Sequence, residues 1–290
     1  MRKIIGLFRL IRPINCLMMG LAVLIGELIT YFTLLPFEPS LFGFLTAFTL
    51  TGTSMIVNDY WDRSVDAINA PERPIPSGLV SGKEALFFAI ALSIIGLLSA
   101  LITNLACFMV AIISLSISIF YNIKGKQMGL IGNFMVSACI AIPLLYGGFI
   151  YKGWNVNFNR LGLLLFFDLM IFFANTGREI IKGIVDVEGD RIRSVKTIAI
   201  RYSPRIASII GILFFIGAIT LSIFPWIYGM VSWVYLPIVT FSDSGFIVSS
   251  VILWKDYSKE NVVKVKNMIL IWMLIGLLAF AIGGLGKGVT

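Results

Sequence analysis

Three aspartates recur at helical spacing in the sequence NDYWDRSVD, which directly follows a long apolar run. Asp59, Asp62 and Asp66 are three and four residues apart, so a continuing helix would place all three carboxylates on one face. Such a face repels itself, and beside a bilayer the penalty grows because charge is costly to desolvate there. The pattern therefore predicts that cations neutralise this face, and carboxylate oxygens favour a hard divalent ion such as Mg²⁺.

A second acidic set, in REIIKGIVDVEGDR, repeats the spacing. Asp186 and Asp190 are four residues apart, Glu179 precedes them by two turns, and Lys182 falls between on nearly the same stripe. Two acidic faces pointing at each other would hold one or two Mg²⁺ ions and leave positions open for phosphate oxygens. We therefore predict that the five aspartates of the two sets are metal and diphosphate ligands. The remaining acids of the same segments and loops are expected to be solvated charges: Glu72, Glu84, Glu188, Asp256 and Glu260.

Basic side chains near these sets suit a leaving diphosphate, whose charge grows as its bond to carbon breaks. Arg63 adjoins the first set, and Arg73 lies in PERPIPSG, where three prolines stiffen a non-helical loop that can fold over a site. The lysines of YNIKGKQMG are equally explained as markers of the cytoplasmic side. The candidate substrate contacts from these segments and from the mouth of the first span are Arg12, Asn15, Arg63, Arg73, Tyr121, Lys124, Lys126 and Lys182.

The elements that must position these residues are membrane helices. The chain has 290 residues, of which 58% are hydrophobic and 13% charged, whereas soluble domains have about 25% charged residues. Recurring apolar runs of roughly 17 to 25 residues predict an all-α polytopic membrane protein with about nine spans. The predicted spans are residues 13–35, 41–61, 85–103, 105–121, 130–150, 161–181, 204–224, 227–253 and 267–286.

Residue types that are rare or absent limit the chemistry. Histidine is absent, which removes the commonest transition-metal ligand and the usual general base. The three cysteines, Cys16, Cys107 and Cys139, lie far apart in apolar context, so zinc and redox motifs are not indicated.

Lysine and arginine predict the orientation of the spans. With a cytoplasmic N-terminus leading straight into the first span, twenty of the 23 basic residues fall on the inner side, and only Lys152, Arg160 and Lys287 fall outside. This separation obeys the positive-inside rule, so the net charge of +8 does not require nucleic-acid binding. Eleven of the fifteen acids also fall on the inner side, which the rule does not demand. We predict that the N-terminus and both aspartate sets are cytoplasmic and that the C-terminus is outside.

These motifs resemble the UbiA superfamily of intramembrane prenyltransferases. NDYWDRSVD matches NDxxDxxxD, PERPIPSG follows it, and DVEGD matches DxxxD; YNIKGK is similar to the family's tyrosine–lysine element, with Y-x-x-K and Y-x-x-x-x-K in place of Y-x-x-x-K. The resemblance covers nearly the whole chain and implies one integral-membrane domain over residues 1–290. It implies a helical bundle around a central cavity, with a cytoplasmic cap that carries the aspartates.

The resemblance also implies a reaction, the Mg²⁺-dependent transfer of an isoprenyl group from its diphosphate to an acceptor. The five aspartates would bind metal and diphosphate, and Asn58 would be a polar contact to the same group. The second segment is most similar to archaeal members that attach a geranylgeranyl chain to geranylgeranylglyceryl phosphate in ether phospholipid synthesis. Relatives that prenylate quinone precursors or tetrapyrroles have similar sequences, so those acceptors stay open. A phosphate-bearing acceptor would be met by basic residues of this segment: Lys182, Arg191, Arg193 and Lys196.

The expected partners are an isoprenyl diphosphate, a lipid acceptor and membrane lipid, with neither nucleic acid nor an obligatory protein partner. The carbocation formed by allylic cleavage needs a dry cavity with electron-rich walls. Candidate aromatic residues, which core or lipid contacts explain equally well, are Tyr146, Phe166, Phe167, Phe172 and Phe173.

Two other membrane functions compete with this one. A transporter would place charges near mid-span in several helices, and we identify Glu27 and Asp168 as such positions. A CDP-alcohol phosphotransferase would show an Asp-Gly pair and an Ala-Arg before its final DxxxD, and neither precedes these clusters in the required arrangement.

Overall fold

Helices make up nearly all of the described chain. The computed structural model describes residues 2–32, 36–187 and 195–285, and these ranges contain no strand. The α-helices are α1 (Arg2–Ile11), α2 (Pro13–Tyr31), α3 (Phe37–Asn69), α4 (Gly82–Thr103), α5 (Leu105–Ile123), α6 (Leu130–Phe149), α7 (Phe158–Val185), α8 (Ile198–Arg201), α9 (Pro204–Ile227), α10 (Tyr235–Lys255) and α11 (Lys259–Leu285). Short 3₁₀ helices cover Gly125–Met128 and Gly153–Asn155.

Nine helices in the described ranges are long and apolar enough to cross a membrane, namely α2 to α7 and α9 to α11. This confirms the predicted all-α membrane architecture and the predicted number of spans. The largest difference in length concerns α3, which continues to Asn69 instead of ending near residue 61. The aspartate-bearing segment is therefore part of the helix itself.

The N-terminal segment differs from the prediction, because it does not run straight into the first span. Residues 2–11 form a separate helix, α1, and the chain breaks at Arg12, whose φ is +51°. The following residue is Pro13, and its ring disfavours helical geometry at the residue before it. A left-handed backbone is unfavourable for a side chain such as that of arginine, so the surrounding packing must hold this conformation.

The described helices form two compact units. The first contains α1, most of α2, α3 to α5 and the end of α6, and within it α3 packs mainly on α4 while α5 packs on both. A buried apolar cluster joins three segments of this unit: Leu10 and Ile11 end α1, Ile56 and Val57 precede the aspartates of α3, and Val80 ends the following loop. This cluster fixes the segments that carry the first candidate site.

The second unit contains the end of α2, the start of α6, α7 and the helices that follow. Here α7 packs on α9 and α11, and α10 packs on α11 and α9. Gly177 of α7 lies so close to Gly211 of α9 that an added Cβ would be 2.8 Å from the Gly211 carbonyl oxygen. Small residues commonly permit such close helix crossings in membranes, and this one holds the helix that leads to the second aspartate set.

Candidate active site

The first acidic set lies on one face near the end of α3. The helix is continuous through Asp59, Asp62 and Asp66, so their spacing places the three carboxylates along two turns. Asp59 and Asp66 are buried, with side chains 5% and 4% exposed, and Asp62 is half-buried. Buried carboxylates require partners, and their ion-pair partners come from outside α3.

Two arginines cover this acidic face. The Arg12 guanidinium donates to Asp59 Oδ1 at 2.8 Å, and the Arg73 guanidinium donates to Asp66 Oδ2 at 2.6 Å. Arg73 also lies 3.7 Å from Asp59 Oδ1, so one guanidinium bridges carboxylates seven residues apart. Partial burial lowers the pKa of Arg73, but the hydrogen bond to Asp66 and the charges of Asp66, Asp59 and Asp62 more than offset this, so its pKa is raised and its charge is retained.

Local structure explains why these two arginines reach the site. Arg12 occupies the break between α1 and α2, directly after the clustered residues Leu10 and Ile11. Arg73 lies in the turns after α3, where its N–H donates to the Ala70 carbonyl and its own carbonyl accepts from Ser77 N–H. The predicted non-helical loop is thus confirmed, and it places a cation over the aspartates.

The other predicted contacts of the first segment are placed differently. Asn58 lies beside Asp59, with its Nδ2 at 3.5 Å from Asp59 Oδ1. Asn15 points its amide at the Met55 sulfur, at 4.0 Å. Arg63 turns away from the acidic face, because its guanidinium donates to the Tyr60 carbonyl at 2.7 Å and lies 4.3 Å from the Tyr60 ring centroid. Adjacency in sequence to Asp62 therefore did not bring Arg63 onto the carboxylates.

The second acidic set has a different local structure. Glu179 is nearly buried on α7 and accepts from Arg178 and from Lys182, each at 3.1 Å. Arg178 also donates to the Lys266 carbonyl at 3.3 Å. Lys182 thus lies on the acidic stripe, as the spacing predicted, and its ammonium group is already paired.

The spacing of Asp186 and Asp190 suggests that α7 continues through both residues, but the helix ends before the first of them. Helix α7 ends at Val185, and Asp186 is the exposed C-cap residue, with φ −92° and ψ 7°. Its N–H still donates to the Lys182 carbonyl at 3.2 Å, which completes the last turn. The reason is local: aspartate competes with helical hydrogen bonding through its short polar side chain and favours helix ends. Asp190, Arg191 and Arg193 lie outside the described residues.

The tyrosine–lysine element lies at the end of α5. Tyr121 belongs to the last turn of α5, Lys124 is its exposed C-cap residue, and Lys126 lies in the following 3₁₀ helix. The structure thus gives the two lysines different local settings. Lys196, the other predicted phosphate contact, precedes α8 and is exposed.

Sequence patterns missed a polar link that ties α5 to α3 near the aspartates. Ser118 donates to the Ser54 hydroxyl at 2.6 Å, and Asn122 donates to the Ser54 carbonyl at 3.4 Å. Ser54 lies one turn before Asn58, so this link positions α5 against the base of the acidic face. Its only sequence signal is a polar residue every four positions in apolar runs.

The prediction of mid-span acids was also incomplete. Asp243 lies within α10, where its Oδ2 accepts from the Ser222 hydroxyl at 2.7 Å. Glu27 accepts from the Ser40 hydroxyl at 2.7 Å, and Asp168 is buried within α7. Glu27 and Asp243 therefore each accept a hydroxyl hydrogen bond within a packed helical unit.

The aromatic residues proposed as cavity walls mostly pack against other rings. Phe167 stacks on Phe280 with ring centroids 4.0 Å apart, and Phe172 lies 5.6 Å from Phe134. Tyr146 is buried, and its hydroxyl donates to the Thr46 hydroxyl at 3.3 Å. These contacts show that Phe167, Phe172 and Tyr146 pack between helices.

The donor set of the α3 face fits Mg²⁺ in kind, because it offers carboxylate oxygens alone and already attracts cationic groups. It is not a preformed cage. Within residues 2–32, 36–187 and 195–285, no group of three His, Cys, Asp or Glu side chains converges as metal ligands do. The arginines instead hold the buried oxygens of Asp59 and Asp66.

Relatives of known name match this chain over nearly its full length. It is 34% identical over 280 residues to the digeranylgeranylglyceryl phosphate synthase of Methanosphaera stadtmanae, covering 95% of this chain and 98% of the relative. It is 35% identical over 275 residues to that of Methanopyrus kandleri, covering 93% and 96%.

Solved structures and a family profile agree with these relatives. A structure of digeranylgeranylglyceryl phosphate synthase in membranes superposes with a TM-score of 0.84 at 30% identity, covering 99% of this chain and 100% of that one. A UbiA homologue from Archaeoglobus fulgidus bound to GPP and Mg²⁺ shares the fold, with a TM-score of 0.66 at 16% identity and coverage of 95% and 99%. The profile of the UbiA prenyltransferase family matches residues 19–275. This multi-pass membrane protein therefore belongs to the UbiA prenyltransferase family.

Proposed function

We propose that this prenyltransferase moves a geranylgeranyl group from its diphosphate to the free hydroxyl of geranylgeranylglyceryl phosphate, a step in ether phospholipid synthesis. Support for the acceptor comes from relatives named digeranylgeranylglyceryl phosphate synthase, which match nearly the whole chain at more than 30% identity. Support for the chemistry comes from one observation above all, the α3 carboxylate face with arginines drawn onto it.

The proposed metal and diphosphate ligands are Asp59, Asp62, Asp66, Asp186 and Asp190. Mg²⁺, when bound, stabilises the negative charge that builds on the diphosphate as the bond from C1 to oxygen breaks. The Archaeoglobus fulgidus homologue was solved with GPP and Mg²⁺, which agrees with this assignment. We propose that this chain also requires Mg²⁺, because the α3 face offers only oxygen donors.

The cationic side chains bind and orient the anionic groups. Arg12 and Arg73 each present a guanidinium at the acidic face, where it can donate to diphosphate oxygens and favour departure of the leaving group. Asn58 supplies a further polar contact, and Lys124 and Lys126 are proposed as additional diphosphate donors. Lys182 and the basic residues that follow it are proposed to hold the phosphate of the acceptor.

The bond changes need no strong base from the protein. The carbon–oxygen bond of the donor breaks with its electron pair going to the diphosphate, and the acceptor hydroxyl oxygen bonds to C1. The hydroxyl becomes acidic as this bond forms, so its proton can leave to water or to the released diphosphate. The chain supplies apolar surroundings that keep water from C1, which would otherwise yield an alcohol.

We place the N-terminus and both aspartate segments on the cytoplasmic side and the C-terminus outside, within one integral-membrane domain. The distribution of lysine and arginine supports this orientation, and an odd number of spans puts the termini on opposite sides. Reporter fusions after Lys259 and after the last residue test it: the first reporter should be active only inside the cell and the second only outside.

Purified protein given labelled geranylgeranyl diphosphate and Mg²⁺ tests the function. Geranylgeranylglyceryl phosphate, a hydroxybenzoate and a dihydroxynaphthoate are offered in turn, and only the glycerol lipid should become labelled. EDTA should stop the reaction, and added Mg²⁺ should restore it. Turnover of an aromatic acceptor alone would replace the proposed acceptor, whereas transfer that persists in EDTA would remove the metal.

A further inference from the structure

Two of the three carboxylates on the α3 face are paired with arginine. Arg12 donates to Asp59 and Arg73 to Asp66, and the bridging contact of Arg73 to Asp59 spans two turns of α3. With side chains only 5% and 4% exposed, Asp59 and Asp66 offer little surface beyond that covered by the guanidinium groups. A metal ion that binds these carboxylates must therefore compete with the two arginines for them.

This pairing is selective among the nearby cations. Arg63 is next to Asp62 in sequence, yet its guanidinium pairs with the Tyr60 carbonyl and ring. Arg12 is 47 residues from Asp59, and its φ of +51° is an unfavourable conformation for a residue with a side chain. The residue whose guanidinium contacts Asp59 is therefore held in an unfavourable backbone conformation.

The pairing has opposite consequences for a metal ion alone and for a metal diphosphate. A metal ion that binds alone must either displace the two guanidinium groups or lie beside them. In the second case the positive charges of the metal ion and the guanidinium groups repel each other. A metal diphosphate brings its own anionic oxygens, which are good acceptors for guanidinium groups. The carboxylates can then pass to the metal while the arginines pass to the diphosphate, and each charge keeps a partner.

We propose that Arg12 and Arg73 exchange partners on substrate binding, so that the α3 face binds metal ion and diphosphate together and binds the metal ion alone only weakly. This inference rests on the proposed function, since it concerns the same site. It assigns the two arginines a role in the order of binding in addition to diphosphate contact. It also makes the metal diphosphate, rather than the separate ions, the species that this face recognises.

Binding of Mn²⁺ to the full-length protein in detergent tests the proposal without turnover. Free Mn²⁺ is followed by electron paramagnetic resonance, alone and with inorganic pyrophosphate. For the wild type, pyrophosphate should raise the apparent affinity for Mn²⁺ by about 100-fold. Arg73→Gln should bind Mn²⁺ alone about fivefold more tightly and the Mn²⁺–pyrophosphate complex about tenfold more weakly. A titration without protein gives the solution affinity of Mn²⁺ for pyrophosphate, and this complex is subtracted before protein-bound Mn²⁺ is counted.

Arg63→Gln is the matched control, because it removes the same charge from the nearby end of α3, where Arg63 pairs with the Tyr60 carbonyl and not with the carboxylates. It should bind Mn²⁺ alone as the wild type does, within about twofold. Arg12→Gln should behave like Arg73→Gln: it should bind Mn²⁺ alone more tightly and the Mn²⁺–pyrophosphate complex more weakly. It replaces Arg73→Gln in the test if that variant does not fold. Arg73→Lys, which keeps the charge, should leave Mn²⁺ alone weakly bound.

The outcomes separate this inference from the proposed function. If the wild type binds neither Mn²⁺ nor its pyrophosphate complex, the proposed metal site itself fails. If the wild type binds Mn²⁺ alone as tightly as the complex, the site stands and partner exchange is overturned. Equal weakening of both ligands in Arg73→Gln would also overturn it, because a purely structural role predicts losses of the same sign.

Discussion

The two acidic segments have similar spacing in the sequence but different local structures. In the first, α3 runs through all three aspartates, two are buried, and arginines from distant segments cover them. In the second, α7 ends at Val185, Asp186 is exposed, and Glu179 is nearly buried and paired with its neighbours Arg178 and Lys182. The same periodicity has produced an ordered face in one place and an exposed helix end in the other.

The two segments stabilise their acidic side chains in different ways. The first segment depends on tertiary contacts, so its electrostatic balance is built into the fold around α1 and the loop after α3. The second depends on pairs within one helical turn, and it leaves Asp186 in water, where solvent stabilises its charge. We therefore expect substitutions in the two segments to be similar in their effect on activity and dissimilar in their effect on stability.

The largest effect is expected from removing a proposed metal ligand of each segment. Asp62→Ala and Asp190→Ala should each lower kcat/KM by about 1000-fold or more, because uncompensated charge then builds on the leaving diphosphate. Labelled geranylgeranyl transfer measures the loss, and membrane expression with a normal Tm serves as the control. Transfer retained by Asp190→Ala alone would remove the second segment from the metal site and leave the first as the chemically active one.

The next largest effect is a difference in stability between substitutions in the two segments. Asp59→Asn should destabilise the protein by about 2 kcal/mol, since Arg12 loses the charge of its buried partner, while Arg73 keeps Asp66. Asp186→Asn alters an exposed helix end and should change stability by about 0.5 kcal/mol or less. Thermal unfolding in one detergent, at one pH, compares them. Equal shifts would show that Asp59 is not held as the structure describes.

Some of this contrast was predictable from the sequence because its causes are local. Long apolar runs predicted the nine spans, and the spacing of three and four residues predicted that Asp59, Asp62 and Asp66 share a face. The turn-rich loop after α3 followed from its prolines. Glu84 was expected to be an ordinary solvated charge, and it forms a capping box with Ser81 and an ion pair with Lys3.

Other features depend on contacts that no local pattern contains. The approach of Arg12 to Asp59 requires the packing of α1 against α3, whereas Arg63 was a candidate because it is adjacent to Asp62 in sequence. The end of α7 at Val185 was missed because periodicity was extended past a residue that favours helix ends. Asp243 is different, since it stands visibly inside an apolar run and its position alone would have identified it.

A smaller effect is expected at Glu179, within the second segment. Glu179→Gln should destabilise the protein by about 1–2 kcal/mol, because Arg178 loses a charged partner while the half-exposed Lys182 can turn to water. Transfer should persist within about tenfold of the wild type, since Glu179 is not a proposed ligand. Thermal unfolding and acceptor titrations measure both quantities. A loss as large as that of Asp190→Ala would instead make Glu179 part of the metal site.

The smallest effect is expected at Glu84, an acid on the same predicted cytoplasmic side that neither segment contains. Its carboxylate accepts from Lys3 at 2.6 Å and from Ser81 N–H at 2.9 Å, both at the exposed start of α4. Glu84→Gln should leave transfer unchanged and lower Tm only slightly, because exposed pairs are screened by solvent. Lys3→Gln should match it, and the double variant should add little, since one interaction is lost in each case. A large loss of transfer in Glu84→Gln would mean that the total negative charge on the inner side supports activity. The contrast between the two segments would then be explained by net charge and not by their local structures.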